Sequence, residues 1–271
     1  VAFAVEIGWS GSATFGIEGT SASDSASGNF FGSYELDLEA TASSGSWAAT
    51  VAFANEDGSF AIDDAYLTYS AEAFDLTLDA DGIDNGLYDV ECAADVTLGI
   101  PSHPGVKISV PMEGFTFYGI VNNTTECVTG EVTYNFAGGV DFTMDALGFG
   151  LTFNSNGEDD TTSYGAQVTY TMDALSLTAQ YGSLSDAGAG YALMATYTFA
   201  GGSSFSLEYY GADSDLNSAD GDTRDAYSKI YGEFSTPVAE NVSFIVDVTS
   251  TDDGGEGDAV TNWEAKVEFS L

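Results

Sequence analysis

Residues 263–271 read WEAKVEFSL, and how this stretch is read decides the fold. Trp263, Ala265, Val267, Phe269 and Leu271 alternate with Glu264, Lys266, Glu268 and Ser270. In an extended strand successive side chains point to opposite faces, so one face of this segment is apolar and the other polar. A soluble β-domain usually lets its C-terminus fray into a polar tail. These residues instead read as a strand whose last position is needed.

The same period of two runs through the chain, and a period of 3.6 is nearly absent. Val1, Phe3, Val5, Ile7, Trp9, Ala13, Phe15 and Ile17 share one parity, and Tyr34, Leu36, Leu38 and Ala40 oppose Glu35, Asp37 and Glu39. The alternation, with Gly and Ser at segment ends, predicts strands near 1–19, 30–41, 46–54, 59–70, 73–80, 94–100, 105–121, 127–136, 140–154, 163–172, 174–182, 189–199, 204–211, 225–234, 241–249 and 261–271. That is about sixteen. It treats 105–121 and 140–154, where parity slips once, as single bulged strands; splitting them raises the number to eighteen. Short connections recur as SAEAFDL (70–76), TMDALGF (143–149) and TMDALSL (171–177), and FAGG occurs at 136–139 and 199–202. Longer ones are acidic: TSASDSASGN, NEDGS, DADGIDNGLYDVECAAD, NSNGEDDTTS, GADSDLNSADGDTRD and STDDGGEGDA.

Composition narrows the function classes. Forty-three Asp and Glu stand against four Lys and Arg, a net charge of −39, which excludes a nucleic-acid partner because phosphates need basic residues. Hydrophobic residues make up 44% and aromatic ones 13%, too much for a solvated, disordered chain. No run of about 18 apolar residues exists, so no transmembrane helix is expected. With Val1 first and no basic, apolar leader, the sequence reads as a mature exported product. Cys92 and Cys127 lack metal-type spacing. Paired, they would close a loop worth roughly 3–4 kcal/mol in the chain-entropy model. The disulfide is the expectation, and two inert thiols are the alternative.

Alternation alone also fits a soluble sandwich with one buried face. Strands of about ten residues, polar on one parity throughout, with Trp and Tyr near segment ends, fit a tilted barrel crossing a bilayer. WEAKVEFSL then closes the barrel against the first strand, because an open edge inside lipid leaves backbone groups unpaired. The expected fold is a single all-β, closed antiparallel transmembrane barrel over 1–271, with short periplasmic turns and longer acidic outer loops.

On these strands, connections and closing segment the sequence resembles the general porin family of Gram-negative-type outer membranes, as a distant member. The resemblance implies a homotrimer in outer-membrane lipid and a third long loop folded inward to constrict the pore. Here that connection is 79–95, with Asp79, Asp81, Asp84, Asp89, Glu91 and Asp95. The sequence departs from the family in ending on Leu271 rather than an aromatic residue. Its third loop lacks a Pro-Glu-Phe-Gly-Gly stretch, and it has no arginine cluster, Arg224 being its one arginine.

By parity the wall-facing acids are Glu35, Asp37, Glu39, Asp75, Glu131, Glu208, Asp247, Glu264 and Glu268, with Lys107, Lys229 and Lys266 as the basic candidates. Carboxylates lining a pore concentrate cations and exclude anions. The expected function is a water-filled, cation-selective diffusion channel for ions and small hydrophilic solutes. The alternative is an acidic structural or adhesive β-protein of a cell-surface layer. DSDLN (213–217) opens like a calcium loop but places Ser218 at the glycine position and Arg224 at the bidentate glutamate. No specific metal site is expected, only Ca2+ or other divalent cations held loosely by the acidic loops. His103, in PSHPG, reads as part of a short-side turn without catalytic support, and no enzyme activity is expected.

Overall fold

The computed structural model of the chain describes residues 4–21, 28–56, 59–83, 103–125, 132–157, 160–185, 188–212, 227–252 and 259–270. Asp84, Asp89, Glu91, Cys92, Asp95, Cys127, Glu131 and Leu271 lie outside these residues, as do the expected strand at 94–100 and the DSDLN segment.

Sixteen strands follow one another: β1 (Ala4–Thr20), β2 (Asn29–Ser44), β3 (Trp47–Glu56), β4 (Ser59–Ser70), β5 (Asp75–Ile83), β6 (His103–Met112), β7 (Phe115–Thr125) and β8 (Val132–Met144). The second half comprises β9 (Leu147–Asn156), β10 (Thr161–Met172), β11 (Leu175–Leu184), β12 (Gly188–Thr198), β13 (Ser204–Ala212), β14 (Tyr227–Ala239), β15 (Val242–Asp252) and β16 (Val260–Ser270). Each pairs antiparallel with its neighbours in sequence, and β16 pairs with β1 to close the ring. Closure lets every strand satisfy its backbone groups on both sides, as a lipid environment demands.

The number sixteen is right, but two expected strands are divided differently. Segment 105–121 is a hairpin, β6 and β7, joined at Glu113–Gly114. Segment 140–154 is cut at Asp145–Ala146, and its first part continues 127–136 as β8. A two-residue turn and a bulge both shift parity by one, so the sequence pattern does not separate them. The backbone does: Gly114 has φ 77° and Asp145 φ 51°, the left-handed region that a tight turn needs. The ring passes directly from β5 to β6, without a strand between them.

Two of the expected long connections are short. β3 and β4 are separated by 57–58 alone, β9 and β10 by 157–160, so NEDGS and NSNGEDDTTS belong largely to strands. The TMDAL repeats are two-residue turns, with Asp145 and Asp173 (φ 49°) in the left-handed region. Gly114→Ala is expected to destabilise the barrel by about 1–2 kcal/mol, because a Cβ at that φ meets its own carbonyl. Gly119→Ala, whose Cβ would meet only Ile108 Cγ2 at 3.9 Å, is expected to change stability by less than about 0.5 kcal/mol. Urea unfolding of the two variants in lipid or detergent checks the difference.

The two faces of the wall differ in character. Large apolar side chains point outward and stay exposed, Phe30 at 89% and Val5 and Ile7 at 67% among them. Aromatic rings meet in pairs at both rims. Trp47–Tyr69 (4.6 Å) and Phe115–Phe142 (4.4 Å) lie at the short-turn rim, and Phe153–Tyr164 (5.4 Å) and Tyr191–Tyr209 (5.9 Å) toward the other. Two aromatic girdles around an apolar band are what a membrane-spanning barrel presents to lipid and its interfaces. The inward face carries the buried polar groups Thr50, Asn122, Asn135, Thr152, Asn154, Ser163 and Asp247.

Candidate pore lining

Register determines which inward residues become neighbours. Glu233 on β14 stands opposite Asp247 on β15, Asp247 opposite Glu264 on β16, and Glu264 opposite Glu18 on β1. Four carboxylates thus occupy one cross-strand row on four consecutive strands. Like charges directly opposite one another destabilise a sheet unless something offsets them. Lys266, the next inward residue on β16, reaches both central acids, with Nζ 3.3 Å from Asp247 Oδ2 and donating at 3.2 Å to Glu264 Oε2. Tyr231 donates its hydroxyl to Glu233 Oε2 at 2.6 Å, and Tyr210 donates to Glu208.

Opposite Glu18 the row ends on β2 at Asn29, and the acids of β2 lie further along that strand. Glu35, Asp37 and Glu39 oppose Ser12, Ser10 and Gly8 on the inward face of β1. Ser10 Oγ donates to Asp37 at 3.4 Å and Thr41 Oγ1 to Glu39 at 3.1 Å. Glu268 faces inward between Ser243 and Thr14, and Glu208 between Met194 and Tyr231. Asp75 opposes Ser70 and Ser109.

Asp79 was expected in the third loop, and so was Asp81. Both lie inside β5, and Asp79 pairs with Tyr66 and Gly105 on the inward face. The alternation simply runs further than the acidic composition suggested. His103 begins β6 at the long-connection rim, paired with Ile83, and is not in a short-side turn.

Inward acids that sequence reading missed are Glu6, Glu18, Asp64, Asp141 and Glu233, opposite Thr41, Glu264, Ala52, Thr116 and Asp247. Parity already marked Glu6 and Glu18, each beside an outward Ile. Asp64 was hidden by a bulge at Ala52/Phe53, which adds Asp63 to β4 and moves the faces by one residue.

The three lysines are all inward and held against the wall. Lys107 lies 6.0 Å from the Tyr118 ring centre and Lys229 5.3 Å from that of Tyr210, within cation–π reach. The wall from β7 to β12 is different. Asp141 is its one inward charged group among the described residues, and the rest is amide, hydroxyl and aliphatic. Asn135 donates to Asn122 Oδ1 at 2.9 Å, Asn154 to Ser163 Oγ at 3.0 Å and Gln180 to Gln167 Oε1 at 2.7 Å. Among the described residues no group of three His, Cys, Asp or Glu is placed to hold a metal.

β16 closes the ring on β1. Trp263, Val267 and Phe269 face away from the axis, opposite Gly19, Phe15 and Ala13 of β1.

No family model matches the sequence, and no curated protein sequence does. Solved structures match it in fold. A mutant form of Rhodobacter blastica porin superposes with a TM-score of 0.70 at 15% identity, over 98% of this chain and 100% of that one. An anion-selective porin from Comamonas acidovorans superposes with a TM-score of 0.69 at 12% identity, over 99% of this chain and 100% of its own. End to end, the chain has the sixteen-stranded barrel fold of the bacterial porins.

Proposed function

We propose that the protein is a water-filled, cation-selective diffusion channel of a Gram-negative-type outer membrane, passing ions and small hydrophilic solutes without catalysis. The observation that carries this is the inward row Glu233, Asp247, Glu264 and Glu18, with one lysine among four acids, inside a barrel whose outer face is apolar. Carboxylates along a low-dielectric wall raise the local cation concentration and repel anions. The porin fold serves an anion-selective member as well, so the sign of selectivity rests on the lining of this chain and not on its fold.

Two further parts belong to the proposal. The long connection after β5, with Asp84, Asp89, Glu91 and Asp95, constricts the pore, as the family resemblance implies. In support, the inward residues Ile120, Asn122, Asn135, Ala137 and Asn154 are at most 7% exposed although they face the lumen. A Cys92–Cys127 disulfide ties this connection to the neighbouring one, which mass spectrometry with and without reductant checks. The barrel assembles as a homotrimer, as the family resemblance implies, and Ca2+ or other divalent cations gather loosely at its acidic outer rim.

The test is reconstitution in a planar bilayer across a KCl gradient. Stepwise conductance with a reversal potential favouring K+ is the expected result, with steps in threes for the trimer. A reversal potential favouring Cl−, or silence from a folded barrel, would overturn the reading.

A further inference from the structure

The acid row sets like charges opposite one another across four strands, and Lys266 sits at its centre. Glu233, Asp247, Glu264 and Glu18 succeed one another across four strands, and an ammonium group bridges the middle pair. That group is Lys266, with Nζ 3.3 Å from Asp247 and 3.2 Å from Glu264. The Asp247 side chain is 9% exposed, the Lys266 side chain 22% and the Glu264 side chain 35%, so water screens the bridge only in part. The other two lumenal lysines lie over tyrosine rings on β7 and β13.

We infer that Lys266 is the tethered counter-ion of this row and the specificity-determining residue of the pore, setting how strongly the channel prefers cations. The inference rests on the channel reading above. Attached to the closing strand, the ammonium occupies the place that a mobile cation would otherwise take between Asp247 and Glu264. It cancels part of the field where the carboxylates are densest. Without it, two adjacent carboxylates stand without their covalently held cation, and permeant K+ takes over their neutralisation. Lys107 lies over the Tyr118 ring on another part of the wall, so position and not only charge decides the weight of a lumenal lysine.

The experiment compares wild type, Lys266→Gln, Lys107→Gln and the double variant Asp247→Asn/Lys266→Gln in planar bilayers under one KCl gradient. Lys266→Gln is expected to raise the K+/Cl− permeability ratio by about twofold or more. Lys107→Gln, which removes the same charge from the lumen, should move it by much less. The double variant, which loses one charge of each sign from the row, should return close to wild type. Equal shifts in the two single variants, or none in Lys266→Gln, would overturn the inference. If Lys266→Gln fails to assemble and the double variant assembles with wild-type selectivity, the counter-ion role stands. If neither assembles, Lys266 serves packing and the inference fails. A folded wild type that does not conduct would remove the channel reading itself; a conducting wild type with an unaltered Lys266→Gln would remove this inference alone.

Discussion

Deleting residues 268–271 is expected to abolish the folded barrel. Glu268, Phe269 and Ser270 pair with Thr14, Ala13 and Ser12 of β1, and Phe269 and Glu268 also pair with Val242 and Ser243 of β15. Their loss removes three of the nine residue pairs that join β16 to β1, and at that end of the seam leaves backbone donors and acceptors of β1 and β15 facing hydrocarbon. Each unsatisfied group there costs several kcal/mol, and a handful of them exceeds the roughly 5–15 kcal/mol that holds a typical domain folded. Deleting four residues at 254–257, in the β15–β16 connection outside the described strands, should leave the barrel intact, because loop length changes stability slowly. Heat-dependent migration in detergent electrophoresis separates the outcomes: the shift is lost in the first deletion and kept in the second. A truncated chain that still folds and resists heat would mean that β16 is an accessory strand rather than the seam.

Placing one arginine at either of two consecutive positions on β13 should give opposite phenotypes. Leu207 is 47% exposed on the outward face, between Ala195 and Gly232 in mid-strand. Leu207→Arg puts a charge against hydrocarbon and is expected to cost about 2–4 kcal/mol, enough to reduce assembly sharply. Ser206 points to the lumen, where its hydroxyl and that of Thr196 are 3.0 Å apart and Glu233 stands opposite. Ser206→Arg loses that one hydrogen bond, worth about 1 kcal/mol, and gains an acidic neighbour. It should therefore assemble, while its K+/Cl− permeability ratio falls severalfold because the new cation enters the acid row. Unfolding midpoints and reversal potentials measured on the two variants check both halves. Comparable destabilisation at 206 and 207 would contradict a wall with one lipid face and one aqueous face.

Much of the fold was legible because a strand has a period of two and a barrel gives each parity a different solvent. Trp263 to Phe269 needed nothing else to be sorted into faces, and neither did Glu35, Asp37 and Glu39. The same rule marked most of the inward acids without any knowledge of their neighbours. Where it failed, the cause was local. Asp64 was lost behind a bulge, and Glu113–Gly114 looked like a bulge until its backbone showed a turn. The FAGG repeat is the clearest limit. At 199–202 it belongs to a turn, with Gly202 at φ 85°, while at 136–139 it lies inside β8. There a Cβ on Gly139 would strike the Tyr118 side chain, which is folded over it from β7. Identical tetrapeptides therefore have different reasons for their glycines.

By itself the sequence determined the period, the faces and the excess of inward acid, because these depend only on neighbours along the chain. The tertiary structure alone decided that Glu233, Asp247, Glu264 and Glu18 share one row and that Lys266 bridges two of them. Residues 18 and 264 meet only when the ring closes, and the register of that closure is a property of all sixteen strands together.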